Sequence, residues 1–420
     1  MRRAWLCALT LVLVLSWSLH AVALPAASPE EVGLSSERLK RIGPALEGQI
    51  AAGKFPGAVF LVARKGRVAH FETVGQLRPD AGPMQKEAIF RLYSMTKPFT
   101  SVAAMMLVEE GRLRINDPVG MYLPGLAKLE VAVAKVDGGG KMEYVTSPAD
   151  RGVTVYDLLR HTSGIVYGMF TPNAHIKDLY TKANVGWADM TPAEQIERLA
   201  KVPLAHQPGT TWEYGLSTDV VGRIVETVSG APLGRFLDER LFRPLKMNDT
   251  SFHVAVDKVK RIAQPFSTDR ASGRPIRLHD VTVAPKNDAG GAGAAGTVMD
   301  YARFLHMMLH GGQLDGVRLL SRATVRHMTS DHIGTMKTVG RQLPSGYGFG
   351  LGFAVRRADG LSGFVGSAGD YFWNGAGGTT FWVDPKEQLV AVLMTQAQPG
   401  PWQREFRELF RQLVYQAIID

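Results

Sequence analysis

The stretch AIFRLYSMTKPFTSVAAMML, residues 88–107, joins a short apolar segment to a longer apolar run through a quartet with two reactive side chains. Ser94 supplies a hydroxyl and Lys97 supplies an amine three positions later. Residues 99–107 are apolar enough to form a buried helix, and Pro98 suits the first turn of that helix. Because residues three apart lie on one face of a helix, we expect the two polar groups to meet at its N-terminal end.

A hydroxyl beside an amine at a helix N-terminus predicts a serine nucleophile that is activated without histidine. The partial positive charge at this end of a helix disfavours an ammonium ion and favours a developing oxyanion. A chance match is the alternative, because serine and lysine are common residues. Against it, Ser94 and Lys97 form the only S-x-x-K in the sequence. The motif therefore predicts a hydrolase that forms an acyl-enzyme on Ser94.

The first 23 residues have the three regions of an export signal. Arg2 and Arg3 form the basic start, residues 6–15 are apolar, and residues 21–23, AVA, form a small-residue cleavage site. A membrane anchor is the alternative, but the apolar run is short for a membrane span. We expect cleavage after the signal, a periplasmic or secreted location, and no stable insertion in a membrane.

Composition and charge exclude several classes of function. The single cysteine, Cys7, lies in the predicted signal, so disulfides, thiol catalysis and cysteine-based metal sites are not expected in the mature chain. The net charge is +9, but the basic residues are scattered and are not interleaved with aromatic residues. Nucleic-acid binding is therefore not expected. With 45% hydrophobic residues, residues 24–420 are expected to form a single domain with a large core.

Strand signals occur near both ends of the mature chain. Residues 57–64, GAVFLVAR, predict a buried strand, and residues 67–74 predict an alternating partner strand. Near the C-terminus, residues 379–383 and 388–395 predict a hairpin, and the apolar residues within 406–417 follow helical spacing. These signals predict an α/β (α+β) fold with an antiparallel sheet that is built from both chain ends and flanked by helices.

The middle of the chain is different, because it alternates between helical patches and loops. We expect a sheet subdomain of about residues 24–95 and 290–420, with a largely helical inserted subdomain of about residues 96–289. Ser36 is the predicted cap of a first helix, and residues 347–355 alternate like a single strand.

Two loops carry the remaining candidate site residues. Residues 212–217, WEYGLS, precede an apolar helix, so Tyr214 can project its phenol into a cleft and pass a proton. Residues 373–376, WNGA, precede the predicted strand at 379–383, and Gly375 there allows close approach and a free N–H for an oxyanion. Taken singly, neither loop is a strong signal: a packed aromatic residue is the better explanation of the first, and an ordinary glycine-rich entry to a strand is the alternative for the second.

Together, in this order and spacing, the S-x-x-K, Tyr-x-x and Trp-x-Gly motifs resemble those of the penicillin-recognising serine hydrolase superfamily. Residues 158–164, LLRHTSG, resemble a further signature of its class C branch. The resemblance covers nearly all of the mature chain. It implies a β-lactamase/transpeptidase-like fold and a reaction that needs no metal and no cofactor.

The resemblance also implies a role for each matching residue of the catalytic group. Ser94 resembles the acylated nucleophile, and Lys97 and Tyr214 resemble its proton relay. The N–H groups of Ser94 and Ala376 are implied as the oxyanion hole.

The opposite wall of the cleft departs from the pattern of β-lactamases and DD-peptidases. Leu216 stands where those enzymes usually carry Asn, and it cannot hydrogen-bond a substrate amide. Trp373, which with Gly375 would line this wall, stands where they carry Lys or His to hold a substrate carboxylate. Losing such a charged hydrogen bond costs roughly 1.5–3 kcal/mol. An indole offers an apolar wall instead, and this combination resembles the family VIII carboxylesterases.

The leading hypothesis is therefore hydrolysis of carboxylic esters with short to medium, uncharged acyl chains, with weak hydrolysis of cephalosporins as a side activity. The first alternative is a β-lactamase or D-alanyl-D-alanine carboxypeptidase. The second is a non-catalytic, penicillin-binding-like binding protein, against which the intact Ser94, Lys97 and Tyr214 argue. In each case the expected partner is a small molecule, an ester or a β-lactam.

Other signals have simpler explanations. Residues 291–296 fit G-x-G-x-x-G but follow Pro-Lys-Asn-Asp rather than a strand, so they predict a structural glycine loop before a capped helix. His306 and His310 are four apart on a helix, and the neighbouring sequence supplies no third metal ligand. Five aromatic residues are candidates for the rim of an acyl pocket: Tyr167, Phe170, Trp212, Tyr347 and Phe349.

Overall fold

The computed structural model describes residues 24–79, 81–136, 138–140, 142–186, 189–269 and 272–420. The predicted export signal, residues 1–23, lies outside the described residues. Within those ranges, no helix has both the length and the apolar character needed to cross a bilayer.

The secondary structure is a mixture of strands and helices along the whole described chain. In chain order, its strands are β1 (Gly57–Arg64), β2 (Arg67–Gly75), β3 (Phe90–Arg91), β4 (Glu130–Val136), β5 (Met142–Pro148), β6 (Thr211–Glu213), β7 (Ala295–Gly296), β8 (Gln313–Leu314), β9 (Val317–Arg318), β10 (Lys337–Val339), β11 (Tyr347–Phe349), β12 (Ala354–Arg356), β13 (Tyr371–Asn374), β14 (Thr380–Asp384) and β15 (Leu389–Thr395). Its α-helices are α1 (Ser36–Leu39), α2 (Ile42–Ala51), α3 (Lys97–Glu109), α4 (Val155–Leu159), α5 (Ala174–Ala183), α6 (Pro192–Leu199), α7 (Ser217–Ser229), α8 (Leu233–Leu237), α9 (Val298–Leu309), α10 (Arg322–Met328) and α11 (Gln403–Tyr415).

A seven-stranded antiparallel sheet organises the molecule, in the order β11-β12-β13-β14-β15-β1-β2. Its centre joins the two ends of the chain, because β1 pairs with β15 and places Ala58 opposite Thr395 and Arg64 opposite Leu389. Every residue of β1 and β15 is buried, which explains why both read as continuous apolar runs. The predicted sheet from both chain ends, with its flanking helices, is confirmed.

Helices cover both faces of this sheet, and strand β14 shows how. Successive side chains of a strand point to opposite faces. Trp382 contacts Phe410 of α11 with ring centroids 5.4 Å apart, whereas its neighbour Phe381 contacts Tyr301 of α9 at 5.1 Å. The terminal helix α11, beside α2, therefore covers one face, and α9 covers the other.

Helix α3 lies between α9 on one side and α7 and α8 on the other. It packs against α7 and α8, and it is buried from Lys97 to Leu107. Its Phe99 ring lies 4.8 Å from Phe304 of α9 and 5.2 Å from Phe242, which follows α8. A helix enclosed on all sides presents its polar N-terminal residues in a fixed place, and this positions the candidate site.

Some sequence predictions are wrong in detail. The cap of the first helix is Ser35, whose side chain accepts the Arg38 N–H, and not Ser36. Residues 347–355 form two short strands, β11 and β12, that pair with each other instead of one strand. Trp373 lies within strand β13 and not in a loop before a strand. The hairpin of β4 and β5 was not predicted, because its strands are largely exposed and lack a clear apolar alternation.

Candidate active site

Ser94 lies in a single 3₁₀ turn, Tyr93–Thr96, that leads directly into α3. Tyr93 has a φ of 47°, which is a left-handed backbone conformation that side chains other than glycine rarely adopt. The turn is held by the short pairing of β3 with β7 and by the Leu92 N–H, which donates to the Ala294 carbonyl at 2.8 Å. Ser94 therefore projects from a sharp turn whose two sides are both fixed.

Lys97 is almost fully buried, and its amine meets three oxygen atoms. Nζ donates to the Gly291 carbonyl at 2.7 Å, to the Tyr167 hydroxyl at 3.2 Å and to Ser94 Oγ at 3.4 Å. A buried ammonium has three hydrogens to satisfy, and these three oxygens match them. Lys97 is thus held beside Ser94 by a carbonyl of the glycine loop, residues 291–296, and by the Tyr167 hydroxyl.

Tyr214 completes the group of three predicted residues. It follows β6 and precedes α7, and its hydroxyl donates to Ser94 Oγ at 2.6 Å. Lys97 Nζ lies 4.7 Å from the centre of the Tyr214 ring. The next residue must be glycine, because a Cβ on Gly215 would lie 2.0 Å from the Ile165 carbonyl oxygen. The structure brings Ser94, Lys97 and Tyr214 together at the start of α3.

Three polar residues around Lys97 were not recognised as site residues from the sequence: the partly buried Tyr167, which was considered only for the pocket rim, and the buried His161 and Asp219. Burial, and then the nearby Asp219 carboxylate, raise the pKa of the Tyr167 hydroxyl well above its usual value, so this phenol stays neutral. Burial and the charge of Lys97 lower the pKa of His161 well below its usual value. The neutral His161 ring lies 5.0 Å from the Tyr214 ring and supports it.

Asp219 is a buried carboxylate on the first turn of α7. Its Oδ1 accepts the Gly291 N–H at 3.2 Å, while Oδ2 has no hydrogen-bond partner among the described residues. Burial raises the pKa of Asp219, and the charge of Lys97 opposes this effect. Since the Gly291 carbonyl in turn accepts from Lys97, Asp219 and Lys97 hold the same glycine from its two sides. The only local signal for this role was the position of Asp219 one turn after Tyr214.

Trp373 and Gly375 stand on the side of the site formed by β13. The Trp373 ring lies 5.1 Å from the Tyr214 ring and 5.3 Å from the Phe349 ring. A Cβ on Gly375 would lie 2.3 Å from the Leu92 carbonyl oxygen, so this glycine permits close contact with the backbone before Ser94. Ala376 lies in the turn that follows, closed by a hydrogen bond from the Gly378 N–H to the Gly375 carbonyl.

The other predicted lining residues lie in several different places. Phe170 is 42% exposed, and its ring lies 6.1 Å from that of Tyr214, at the mouth of the site. Leu216 is buried in the main core immediately before α7. Tyr347 belongs to a separate buried cluster, in which its hydroxyl donates to Asp370 at 2.7 Å, so it is not part of the rim. Trp212 packs behind the site, with its ring 5.5 Å from that of Phe349.

The remaining signals from the sequence have structural roles. The glycine loop, residues 291–296, leads into α9, which Thr297 caps by accepting the Asp300 N–H. His306 Nδ1 is 2.8 Å from the Ala302 carbonyl within the same helix. No group of three or more His, Cys, Asp or Glu side chains in the described part of the chain is arranged to hold a metal ion.

A large antiparallel sheet between layers of helices, with a serine at the start of a buried central helix, defines the class of β-lactamase-fold serine hydrolases. The chain belongs to the Beta-lactamase family, whose family model matches residues 44–416.

Comparison with known proteins agrees with this class. The chain is 36% identical over 363 residues to Protein Rv1367c of Mycobacterium tuberculosis, covering 83% of this chain and 87% of that protein. It is 30% identical over 379 residues to Esterase EstB of Burkholderia gladioli, covering 84% of this chain and 89% of that protein. Among solved structures it resembles EstCE1, a hydrolase with promiscuous acyltransferase activity, with a TM-score of 0.74 and 26% identity over 90% of this chain and 99% of that one.

Proposed function

We propose that this protein hydrolyses carboxylic esters of short to medium, uncharged acyl chains through an acyl-enzyme on Ser94. The observation that carries the proposal is the contact of Ser94 Oγ with two proton carriers, the Tyr214 hydroxyl at 2.6 Å and Lys97 Nζ at 3.4 Å. An alcohol needs an adjacent base to attack an ester at neutral pH, and these two groups are the ones in contact with it.

In the first step, Ser94 Oγ bonds to the ester carbonyl carbon while its proton passes to the pair formed by Tyr214 and Lys97. Before the substrate binds, Tyr214 and Lys97 together must therefore lack one of the protons that they can carry, so that they can accept the proton of Ser94. Collapse of the tetrahedral intermediate breaks the bond to the alcohol oxygen, and the pair returns the proton to that oxygen. Water then attacks the acyl-enzyme by the same route and releases the acid. We assign the oxyanion hole to the N–H groups of Ser94 and Ala376.

The choice of uncharged esters rests on the side chains around Ser94. Trp373 places an indole where a cation would be needed to hold a substrate carboxylate, and it packs on Tyr214. At the mouth, Phe170 and Met169 are 42% and 72% exposed, which offers apolar surface to an acyl or alcohol group. The names of two relatives, Esterase EstB and EstCE1, support the same class of reaction. The predicted export signal would place this activity in the periplasm or outside the cell.

The proposal is tested by initial rates of the purified mature protein on p-nitrophenyl butyrate and on a chromogenic cephalosporin, with Ser94→Ala as the control. We expect ester turnover well above cephalosporin turnover, and loss of both in the folded Ser94→Ala variant. A reversed ratio would favour the β-lactamase or carboxypeptidase alternative. No turnover, together with no labelling of Ser94 by a fluorophosphonate probe, would favour the non-catalytic alternative.

A further inference from the structure

Side chains of the terminal helix α11 form hydrogen bonds to the turn that contains Ala376. Arg407 Nη2 donates to the Gly375 carbonyl at 2.6 Å. One turn earlier on the helix, Gln403 Nε2 donates to the Ala376 carbonyl at 2.8 Å. The two side chains also meet each other, because Arg407 Nη2 lies 2.7 Å from Gln403 Oε1. Two successive carbonyls of the turn are therefore held by one helix that lies outside the cleft.

Among the described residues, Arg407 bonds to this turn and to no carboxylate. Its two neighbours of the same type on α11 form ion pairs, Arg404 with Glu408 at 2.5 Å and Arg411 with the buried Asp370 at 2.6 Å. Arg407 is half-buried, forms no ion pair within the described ranges, and its Nε is buried without a partner. The hydrogen bonds of Arg407 go instead to the Gly375 carbonyl and to Gln403.

The Gly375 carbonyl and the Ala376 N–H belong to the same peptide group. A cation bonded to the oxygen of a peptide draws electron density from its nitrogen, because the two atoms share one delocalised system. The N–H on the other side then becomes a stronger donor, which is the cooperative strengthening known for chains of hydrogen bonds. The bond from Arg407 also fixes the plane of the peptide and hence the direction of that N–H.

The opposite side of the turn leaves little room for the peptide to reorient. Gly375 packs on the Leu92 carbonyl, and a Cβ on Gly377 would lie 2.8 Å from the Tyr93 ring. The Gly375 N–H donates to the Thr379 carbonyl at 2.9 Å. The turn is thus held between the residues that precede Ser94 and the side chains of α11. Among the described residues, the Ala376 N–H itself donates to no backbone carbonyl.

We propose that Arg407 is a positioning residue for the reaction at Ser94, which orients and polarises the peptide between Gly375 and Ala376 so that its N–H stabilises the oxyanion. The inference rests on the proposed acyl-enzyme mechanism and deepens it. Arg407 does not touch the substrate, so its removal should weaken binding of the negatively charged transition state and leave binding of the neutral ester unchanged.

The test compares Arg407→Gln, which removes the charge, with Arg407→Lys, which keeps it, and with Arg404→Gln as a matched control on an exposed site of the same helix. The readouts are kcat and KM on p-nitrophenyl butyrate and the affinity for phenylboronic acid, which forms a negatively charged tetrahedral adduct with an active serine. For Arg407→Gln we expect kcat and boronate affinity to fall together by about tenfold with KM unchanged. Arg407→Lys should recover part of both losses, and Arg404→Gln should match the wild type.

A merely structural role would give a different pattern. If Arg407→Gln raises KM as much as it lowers kcat, or if it loses no more boronate affinity than Arg404→Gln, the inference is wrong. If Arg407→Gln does not fold, as judged by circular dichroism, Arg407→Lys decides: a partial fall in kcat and boronate affinity with KM unchanged supports the inference, whereas wild-type kcat and boronate affinity, or a rise in KM that matches the fall in kcat, overturns it. If the wild type acts on the cephalosporin and not on the ester, the ester proposal fails, and the same comparison on the cephalosporin still tests Arg407.

Discussion

The Tyr214 hydroxyl lies closer to the nucleophile than the Lys97 amine does, at 2.6 Å from Ser94 Oγ against 3.4 Å. Lys97 is turned instead toward the Gly291 carbonyl, at 2.7 Å. These distances indicate different roles for the two residues: Tyr214 exchanges the proton with Ser94, and Lys97 sets the charge around Tyr214.

The first prediction concerns Tyr214 and Tyr167, which both contact the Lys97 side chain. Tyr214→Phe removes the oxygen next to Ser94, and we expect kcat for p-nitrophenyl butyrate to fall by about 10²–10⁴-fold. Tyr167→Phe removes an oxygen that contacts Lys97 but not Ser94, so its loss should stay below about tenfold. Steady-state kinetics of both variants check this prediction. An equal fall in kcat in the two variants would contradict the separate roles of Tyr214 and Lys97.

The second prediction concerns the apolar wall at Trp373. Trp373→Lys would place a cation beside Tyr214, so we expect the preference for p-nitrophenyl hydrogen succinate over p-nitrophenyl butyrate, as a ratio of kcat/KM values, to rise by about tenfold. Trp373→Phe keeps the wall apolar and serves as the control. Because Trp373 is buried, thermal unfolding of both variants must be measured alongside. An unchanged ratio in a folded Trp373→Lys variant would show that this position does not select against carboxylates.

The third prediction follows from a buried ionic cluster between the sheet and α11. Asp370 accepts from Arg356 and Arg411, both at 2.6 Å, and from the Tyr347 hydroxyl. Asp370→Ala would leave two buried guanidinium groups without a counter-charge, which costs about 3–5 kcal/mol. Urea unfolding measures this loss.

The control for that cluster is an exposed ion pair on the same helix. Glu408 pairs with Arg404, and the two side chains are 39% and 71% exposed. Glu408→Ala should therefore change the free energy of unfolding by less than about 1 kcal/mol. A comparable loss of unfolding free energy in Glu408→Ala and Asp370→Ala would show that burial does not increase the contribution of the Asp370 cluster to stability.

The fourth prediction concerns pH and Asp300, in the first turn of α9. Burial raises the pKa of Asp300 from 3.8 to about 6 in the folded protein. The folded state then binds this proton more tightly than the unfolded chain, so the stability from Asp300 is present below pH 4 and is lost as the pH rises through about 6. The loss amounts to ~3 kcal/mol at pH 7.

Asp300→Asn removes this titration and keeps an oxygen to accept from the Asp249 N–H and the Thr250 hydroxyl. We expect the variant to gain stability relative to the wild type between pH 4 and pH 7, by on the order of 2 kcal/mol. Denaturant unfolding at several pH values measures the difference. A difference that is constant across this range would rule out Asp300 as the titrating group.

The fold was predictable where burial alone decides it. The continuous apolar runs of β1 and β15 could only be accommodated in the middle of a covered sheet, and the spacing of Phe406, Phe410 and Val414 could only be buried on one helix face. The short strands β11, β12 and β13 were harder to predict, because three or four residues are too few to establish a period. Their extent is set by pairing with neighbours that are distant in the sequence.

The candidate site divides in the same way. Local motifs were enough to select Ser94, Lys97, Tyr214 and Trp373 as candidates, because they record which side chains are available near a turn or a helix start. Three further relationships exist only in the folded protein: Tyr214 approaches Ser94 more closely than Lys97 does, Asp219 reaches Lys97 through Gly291, and Arg407 holds the turn of Ala376. These contacts join segments from 30 to more than 100 residues apart, and no local pattern encodes a distance that the packing of helices and sheet alone establishes.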